Sequence, residues 1–249
     1  MRNLLCSQVY KMFHNAIFWI CAFITIGSVS FYSIFDSFRP EIAANGLQLV
    51  DYFSILFQNY STGLPVLIFC VVFASDDFSC GAIHCYLAKG ISRTQYYLSK
   101  LAACALAAMI YVAVAAIFGT VISHFLWHNL SSFTEINMLQ LVFFFVSQSL
   151  LHISYAAFIV FTCFLLRNSV ASSVLNMFLL IFGFLILHKI EDMIWGTYVI
   201  SMYWPVTMFQ RVQVMTVAEW FPVVAVIFVI YGLALTFMGI LLTQKRDIK

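Results

Sequence analysis

Charge is what this sequence has least of. Only 9% of its 249 residues are charged, whereas 63% are hydrophobic. A soluble globular domain carries roughly 25% charged residues, so this chain has too few to cover a water-facing surface. The formal net charge of +2 and the lack of any run of five basic residues give no indication of nucleic-acid binding. We therefore expect an integral membrane protein.

Sequence motifs of several enzyme and carrier classes are also missing. There is no G-x-x-x-x-G-K-[ST] phosphate loop, no G-x-S-x-G nucleophile elbow and no H-E-x-x-H metal motif. Acidic residues lie only at the ends of apolar runs or between them, which argues against a proton-driven carrier. The 7 cysteines are odd in number, which argues against a disulfide framework. The nearby Cys80, His84 and Cys85 match no zinc spacing, so we expect no metal and no cofactor in this chain.

Six apolar runs can cross a bilayer, since a span needs about 20 mostly apolar residues. The runs are continuous and do not alternate, which favours helices over a barrel. We number them spans 1 to 6, at about 16–35, 62–75, 101–125, 139–166, 172–188 and 221–243. The second and fifth are shorter than the others. With no internal repeat visible, the sequence predicts a single transmembrane domain over 1–249, all-α and six-span.

The positions of Lys and Arg predict the orientation. With the N-terminus inside, nine of the 12 basic residues lie in cytosolic segments, and seven of the 10 acidic residues lie outside. The inverted topology would place those nine basic residues outside. We therefore expect a multi-pass protein of the cell membrane with both termini in the cytoplasm and with residues 76–100 in the cytosol.

Two further segments are predicted to lie at the membrane surface. In residues 1–15, apolar side chains recur near helical spacing, which predicts an interfacial amphipathic helix on the inner leaflet. The alternative is a frayed extension of span 1. The extracellular segment 189–220 is rich in Trp and Tyr and too apolar for a free loop, so we expect short helices that dip into the outer leaflet and break near Pro205.

The predicted cytosolic segment 76–100 reads DDFSCGAIHCYLAKGISRTQYYLSK, an ordered set of acids, glycines and basic residues. The pattern predicts a short helix that opens at Asp77 and is broken by Gly90. Ser92 is then expected to cap the next helix, with Gln95 three residues later as in a capping box. At the end of the segment, Lys100 is expected to anchor span 3 at the inner headgroups.

This order of residues resembles the ABC-2 type transporter permeases, the six-span membrane subunits of bacterial ABC exporters. In that family an acid-x-x-x-Gly-Thr-Ile element is followed by Gly-x-Ser-Arg and then by Ser-Lys before the third span. The positions that match here are Asp77, Gly81, Ile83, Gly90, Ser92, Arg93, Ser99 and Lys100. Two positions depart from the pattern: the family acid is usually Glu, and its Thr is Ala82 here.

The resemblance implies that the segment is a coupling helix, which docks into a separate ATPase subunit. That partner would bind ATP and Mg, so this chain would catalyse nothing itself. The residues implied at the coupling contact are Asp76, Asp77, Gly81, Ile83, Gly90, Ser92 and Arg93. Charge-assisted hydrogen bonds, accepted by Asp77 and donated by Arg93, could fix the docking. The alternative is that these charges only set the topology.

The resemblance also implies a pair of permease subunits, identical or paralogous, working with two ATPase subunits. The small size suggests export of a peptide or other amphipathic substrate, of the bacteriocin export or immunity kind. An alternative function is a membrane-embedded binding or assembly protein without an ATPase partner. A third is an intramembrane enzyme that uses His152.

Among the polar side chains inside the predicted spans, those singled out as candidates are Gln148, His152, Tyr155 and Asn176. The first three share one face of span 4, because their offsets are four and three. They could line a translocation path. We favour the alternative that they form interhelical hydrogen bonds, each worth about 0.6 kcal/mol.

Overall fold

The computed structural model describes residues 2–38, 49–58, 62–79, 81–127, 138–194, 196, 201–214 and 216–245, and these ranges are helical with no strand. The first helices are α1 (Arg2–His14), α2 (Ala16–Ser37), α3 (Leu49–Gln58), α4 (Gly63–Ser79) and α5 (Ala82–Ala88). The long middle helices are α6 (Arg93–Trp127), α7 (Met138–Leu166) and α8 (Ser169–Ile194). A 3₁₀ turn at Ser201–Tyr203 precedes α9 (Pro205–Arg211), α10 (Val217–Ile227), a π-helical stretch (Phe228–Ala234) and α11 (Leu235–Lys245).

Five helices within the described ranges are long and apolar enough to cross a membrane: Ala16–Ser37, Arg93–Leu126, Leu139–Leu166, Ser169–Ile194 and Val217–Gln244. The prediction of an all-α protein with membrane-spanning character is therefore confirmed. The predicted span 2 corresponds to α4, which has only 17 residues. It forms a pair with α5 that is bent by 62°, and a sixth crossing exists only if that pair is one span. Six crossings thus remain a prediction.

Helix α4 lies at the centre of the bundle, in contact with α2, α6, α7 and α8. Val66, Phe69, Cys70 and Ala74 along its length are fully buried. The outward faces of the surrounding helices carry exposed large apolar side chains, which are numerous on α2, on α8 and along Val217–Gln244. Exposure of large apolar surfaces to water is unfavourable, so these faces suit a lipid environment.

Helix α3 was not among the predicted elements. It buries Tyr52 and Phe53 within the bundle. The Tyr52 hydroxyl is 2.8 Å from the hydroxyl of Ser33 on α2, and the Phe53 ring meets Phe145 of α7 edge to face, with centroids 5.3 Å apart. This short helix therefore belongs to the packed core rather than to a solvated loop.

The predicted surface segment 189–220 contains two short helical elements that meet at Pro205, the expected break. Proline is favoured at a first helical position because its missing N–H would have no partner there. Helix α9 packs against the middle of α7, since the Phe209 ring stacks on His152 with centroids 4.2 Å apart. The dip into the outer leaflet remains a prediction, and residues 195, 197–200 and 215 lie outside the described ranges.

The N-terminal segment forms a helix of its own rather than a frayed extension of span 1. The chain breaks at Asn15, whose side chain caps α2 by accepting from the Ile17 N–H at 2.9 Å. One face of α1 is buried in the bundle, through Leu4, Gln8 and Met12. Its position at the membrane interface remains a prediction.

Candidate functional site

Helix α5 lies between two glycines with left-handed backbone. Gly81, at the N-cap, has φ of +67° and Gly90, just after the C-terminus, has φ of +80°. Residues with a Cβ adopt such angles only at a cost, so both positions favour glycine. The expected start of this helix at Asp77 is wrong: Asp77 belongs to α4, because the positive φ at Gly81 interrupts the helical hydrogen bonds.

The two faces of α5 differ in exposure. On the inner face, Ile83 is buried and Tyr86 is half-buried, with the Tyr86 ring 5.4 Å from that of Tyr96 on α6. The exposed side chains are small or polar: His84, Cys85, Ala88 and Lys89. Helix α5 therefore presents a compact outer surface over an aromatic base.

Behind α5, Asp77 is the centre of a buried charge network. Its carboxylate is only 4% exposed and lies 2.8 Å from the Lys100 ammonium. The Tyr96 hydroxyl donates to the same carboxylate at 2.5 Å, and the Lys11 ammonium is 3.7 Å away. Lys100, 1% exposed, also donates to the Phe73 carbonyl at 3.0 Å. We call Asp77, Lys11, Tyr96 and Lys100 the Asp77 cluster.

The Asp77 cluster ties α1, α4 and α6 together directly beneath α5. A buried ion pair is tolerated when additional hydrogen bonds satisfy both ions, as they do here. The expectation that Lys100 reaches the headgroups is wrong, because its side chain is enclosed by protein. Asp77 is likewise turned inward, so its influence on α5 runs through Tyr96, which packs against Tyr86.

The remaining residues of the predicted coupling contact lie around the same end of the bundle. Ser92 caps α6 as predicted, since its hydroxyl accepts from the Gln95 backbone N–H at 3.2 Å. Asp76 is exposed at the end of α4. Arg93, the first residue of α6, is half-buried and lines a small cavity beside Ile83.

Sequence reasoning missed two members of this site, Lys11 and Tyr96. Lys11 was read only as a charge on an amphipathic helix, and no spacing in the sequence relates it to Asp77. Tyr96 offered a weak signal, since a tyrosine one turn before Lys100 shares its helical face.

Gln148 and His152 of span 4 form hydrogen bonds to other parts of the bundle. The His152 Nε2 atom is 2.7 Å from the Thr62 hydroxyl, and its Nδ1 atom is 2.7 Å from the Gln148 carbonyl oxygen. Since a carbonyl only accepts, we assign the proton to Nδ1, with Nε2 accepting from Thr62. The Gln148 amide donates to the Phe209 carbonyl at 3.3 Å, and Tyr155 packs edge to face on the Phe209 ring.

Asn176 on α8 also forms a hydrogen bond to another helix. Its amide donates to the Thr162 hydroxyl of α7 at 2.7 Å and to the Ser172 backbone carbonyl of its own helix at 2.8 Å. Gln148, His152 and Asn176 thus each have a hydrogen bond to another part of the bundle, and whether they also line a translocation path stays a prediction.

No metal centre is formed within the described ranges, where no three His, Cys, Asp or Glu side chains could share an ion. His84 and Cys85 are exposed on α5, and Cys80 lies outside those ranges.

Comparison with known proteins gave no match to a family model and none to a curated protein. The class that the chain's own architecture defines is an all-α protein with the long apolar helices of a membrane-spanning protein. Any narrower assignment rests on the α5 region and is a proposal.

Proposed function

We propose that this chain is the permease subunit of an ATP-driven exporter of the ABC-2 type, in a bacterial plasma membrane with both termini cytoplasmic. In this proposal a separate ATPase subunit binds ATP and Mg and docks on α5. Two permease subunits and two ATPase subunits make up the exporter, which moves a peptide or other amphipathic substrate. Helix α4 provides the sixth crossing.

The construction of α5 is the observation that carries this proposal. A helix of seven residues is about 10 Å long, which suits a single compact contact. Glycines with positive φ lie at both ends of α5, which is bent by 62° from α4, and its exposed side chains within the described ranges are small or polar. A helix built in this way can bind a soluble partner and be displaced by its movement.

The Asp77 cluster supports the same function by connecting α5 to the bundle. Contact passes from Tyr86 on α5 to Tyr96, and from the Tyr96 hydroxyl to Asp77. Asp77 then pairs with Lys100 and Lys11. A displacement of α5 would therefore reach α4, α6 and α1 together, whereas a flexible loop would absorb it.

Site-specific photo-cross-linking tests the docking contact. A photoreactive amino acid replaces Ala88 on the outer face of α5 or, as the matched control, exposed His14 on α1. We expect the Ala88 position to cross-link in cells to a protein with a P-loop, identified by mass spectrometry, and the His14 position to do so much less. Equal cross-linking from both positions would contradict docking on α5.

A second experiment separates the exporter from an assembly protein without an ATPase. Ala88→Arg places a bulky cation on the contact face without disturbing the core, and His14→Arg is the control. We expect the purified complex to hydrolyse ATP and Ala88→Arg to abolish ATPase co-purification, with His14→Arg unaffected. A chain that never captures a P-loop protein, in any variant, would support the assembly protein instead.

A further inference from the structure

A cavity of about 350 Å³ lies between α8 and α9, away from α5. Its α8 wall is apolar and consists of Leu180, Ile181, Phe184 and Leu185. Ile181 and Leu185 are also exposed on the outward face of α8, so the cavity opens toward the surroundings of the bundle. Its volume is at the lower end of the roughly 300–1,000 Å³ typical of small-molecule sites.

The α9 wall of this cavity is polar and cationic. It includes Gln210 and Arg211, the last two residues of α9, and both are half-buried. Across the described ranges neither side chain has a hydrogen bond or an ion pair. The indole nitrogen of Trp204, a third lining residue, is buried and likewise has no hydrogen-bond partner among the described residues. Gln210 and Arg211 thus present donors at the cavity that have no partner among the described residues, whereas the Trp204 indole nitrogen is enclosed against α8.

An unpaired guanidinium beside an apolar wall is electrostatically costly. Arg211 stays charged at any relevant pH, and partial burial removes part of its hydration. The buried acid of α8, Glu191, does not compensate it, because Glu191 accepts from the Ser201 backbone N–H at 3.0 Å and forms no ion pair with Arg211. An anion in the cavity would supply the missing acceptor.

We propose that this cavity binds the headgroup of an anionic membrane lipid. A phosphate accepts from Arg211 in a bidentate arrangement and from Gln210, and the acyl chains leave along Ile181 and Leu185. The cavity holds a headgroup and not a whole lipid, which agrees with its opening beside these exposed side chains. The inference rests on the membrane-spanning character of the chain and is independent of the exporter proposal.

Native mass spectrometry of the detergent-purified chain tests this site. Phosphatidylglycerol and phosphatidylcholine with identical acyl chains are titrated, and the bound lipids are counted. We expect the chain to prefer phosphatidylglycerol, and Arg211→Gln to weaken that binding about tenfold, since charged hydrogen bonds of this kind are lost. The matched control is Lys189→Gln, which removes the same charge from an exposed position of α8 outside the cavity.

Three results would overturn the proposal. One is an equal affinity for the two lipids, and another is an equal loss in Arg211→Gln and Lys189→Gln, which would indicate general surface charge. The third is competition by free glycerol phosphate as strong as that by the lipid, because the apolar wall would then contribute nothing. If Arg211→Gln fails to fold, Gln210→Leu serves in its place, and we expect it to weaken phosphatidylglycerol binding a few-fold while preserving the helical circular dichroism spectrum.

Discussion

Replacing Lys100 with methionine removes the buried cation from the Asp77 cluster while keeping a long unbranched side chain. Removing one partner of a buried ion pair typically costs about 3–5 kcal/mol, because the other charge is left uncompensated. Asp77 would still accept from Tyr96, and Lys11, 3.7 Å away with its side chain 42% exposed, can move closer. We therefore expect the lower end of that range, about 3 kcal/mol.

Thermal unfolding of the purified protein in detergent, followed by tryptophan fluorescence, measures this loss. For a chain of this size 1 kcal/mol corresponds to about 2–4 °C in Tm, so we expect Lys100→Met to lower Tm by roughly 6–12 °C. The control is Lys89→Met, which removes an exposed lysine from the same end of the bundle and should change stability by less than about 0.5 kcal/mol.

The double variant Asp77→Asn with Lys100→Met tests whether the two side chains are energetically coupled. Because it removes both charges, it should be more stable than Lys100→Met alone. A double variant that loses the sum of the two single losses would show that Asp77 and Lys100 are energetically independent. Equal Tm values for Lys100→Met and Lys89→Met would show that the pair is not buried.

Three further substitutions test local features. In Gly239→Ala the new methyl group would lie 2.9 Å from Cε2 of the buried Tyr97 ring and closer to its hydroxyl, so we expect a cost of about 1–3 kcal/mol in thermal unfolding. Gly27→Ala, with nothing within 4 Å, should be neutral or slightly stabilising, and a matching loss there would contradict the close packing at Gly239. Gly90→Ala forces a side chain to a φ of +80°, at about 1–2 kcal/mol, and should speed amide exchange in α5. Ser92→Ala removes the α6 cap, and we expect a loss of about 1 kcal/mol with faster exchange confined to the first turn of α6, whereas Ser92→Asp should retain protection.

Features that depend on residues close together in the sequence could be predicted. These include the helix break at Gly90 and the helix cap at Ser92. The long apolar runs likewise predicted helices. Helix α6 begins at Arg93, directly after the predicted cap at Ser92, and its polar first turns precede the apolar run that begins at 101.

Features that depend on the folded bundle could not be predicted. Asp77 and Lys100 were read as surface charges, since both stand at the edge of apolar runs and their pairing exists only once α4 and α6 are packed. Helix α3, with ten residues, is too short for a spanning template and was missed. Its Tyr52 and Phe53 are buried by α2 and α7, which are distant in the sequence.

The position of Lys11 on α1 also bears on how the protein is made. Synthesis proceeds from the N-terminus, so α1 leaves the ribosome before Asp77 and Lys100 have been translated. Lys11 can therefore meet Asp77 only after α4 has been synthesised, and the complete Asp77 cluster also requires α6. The buried face of α1 thus stays without these partners until the chain has been extended past Lys100.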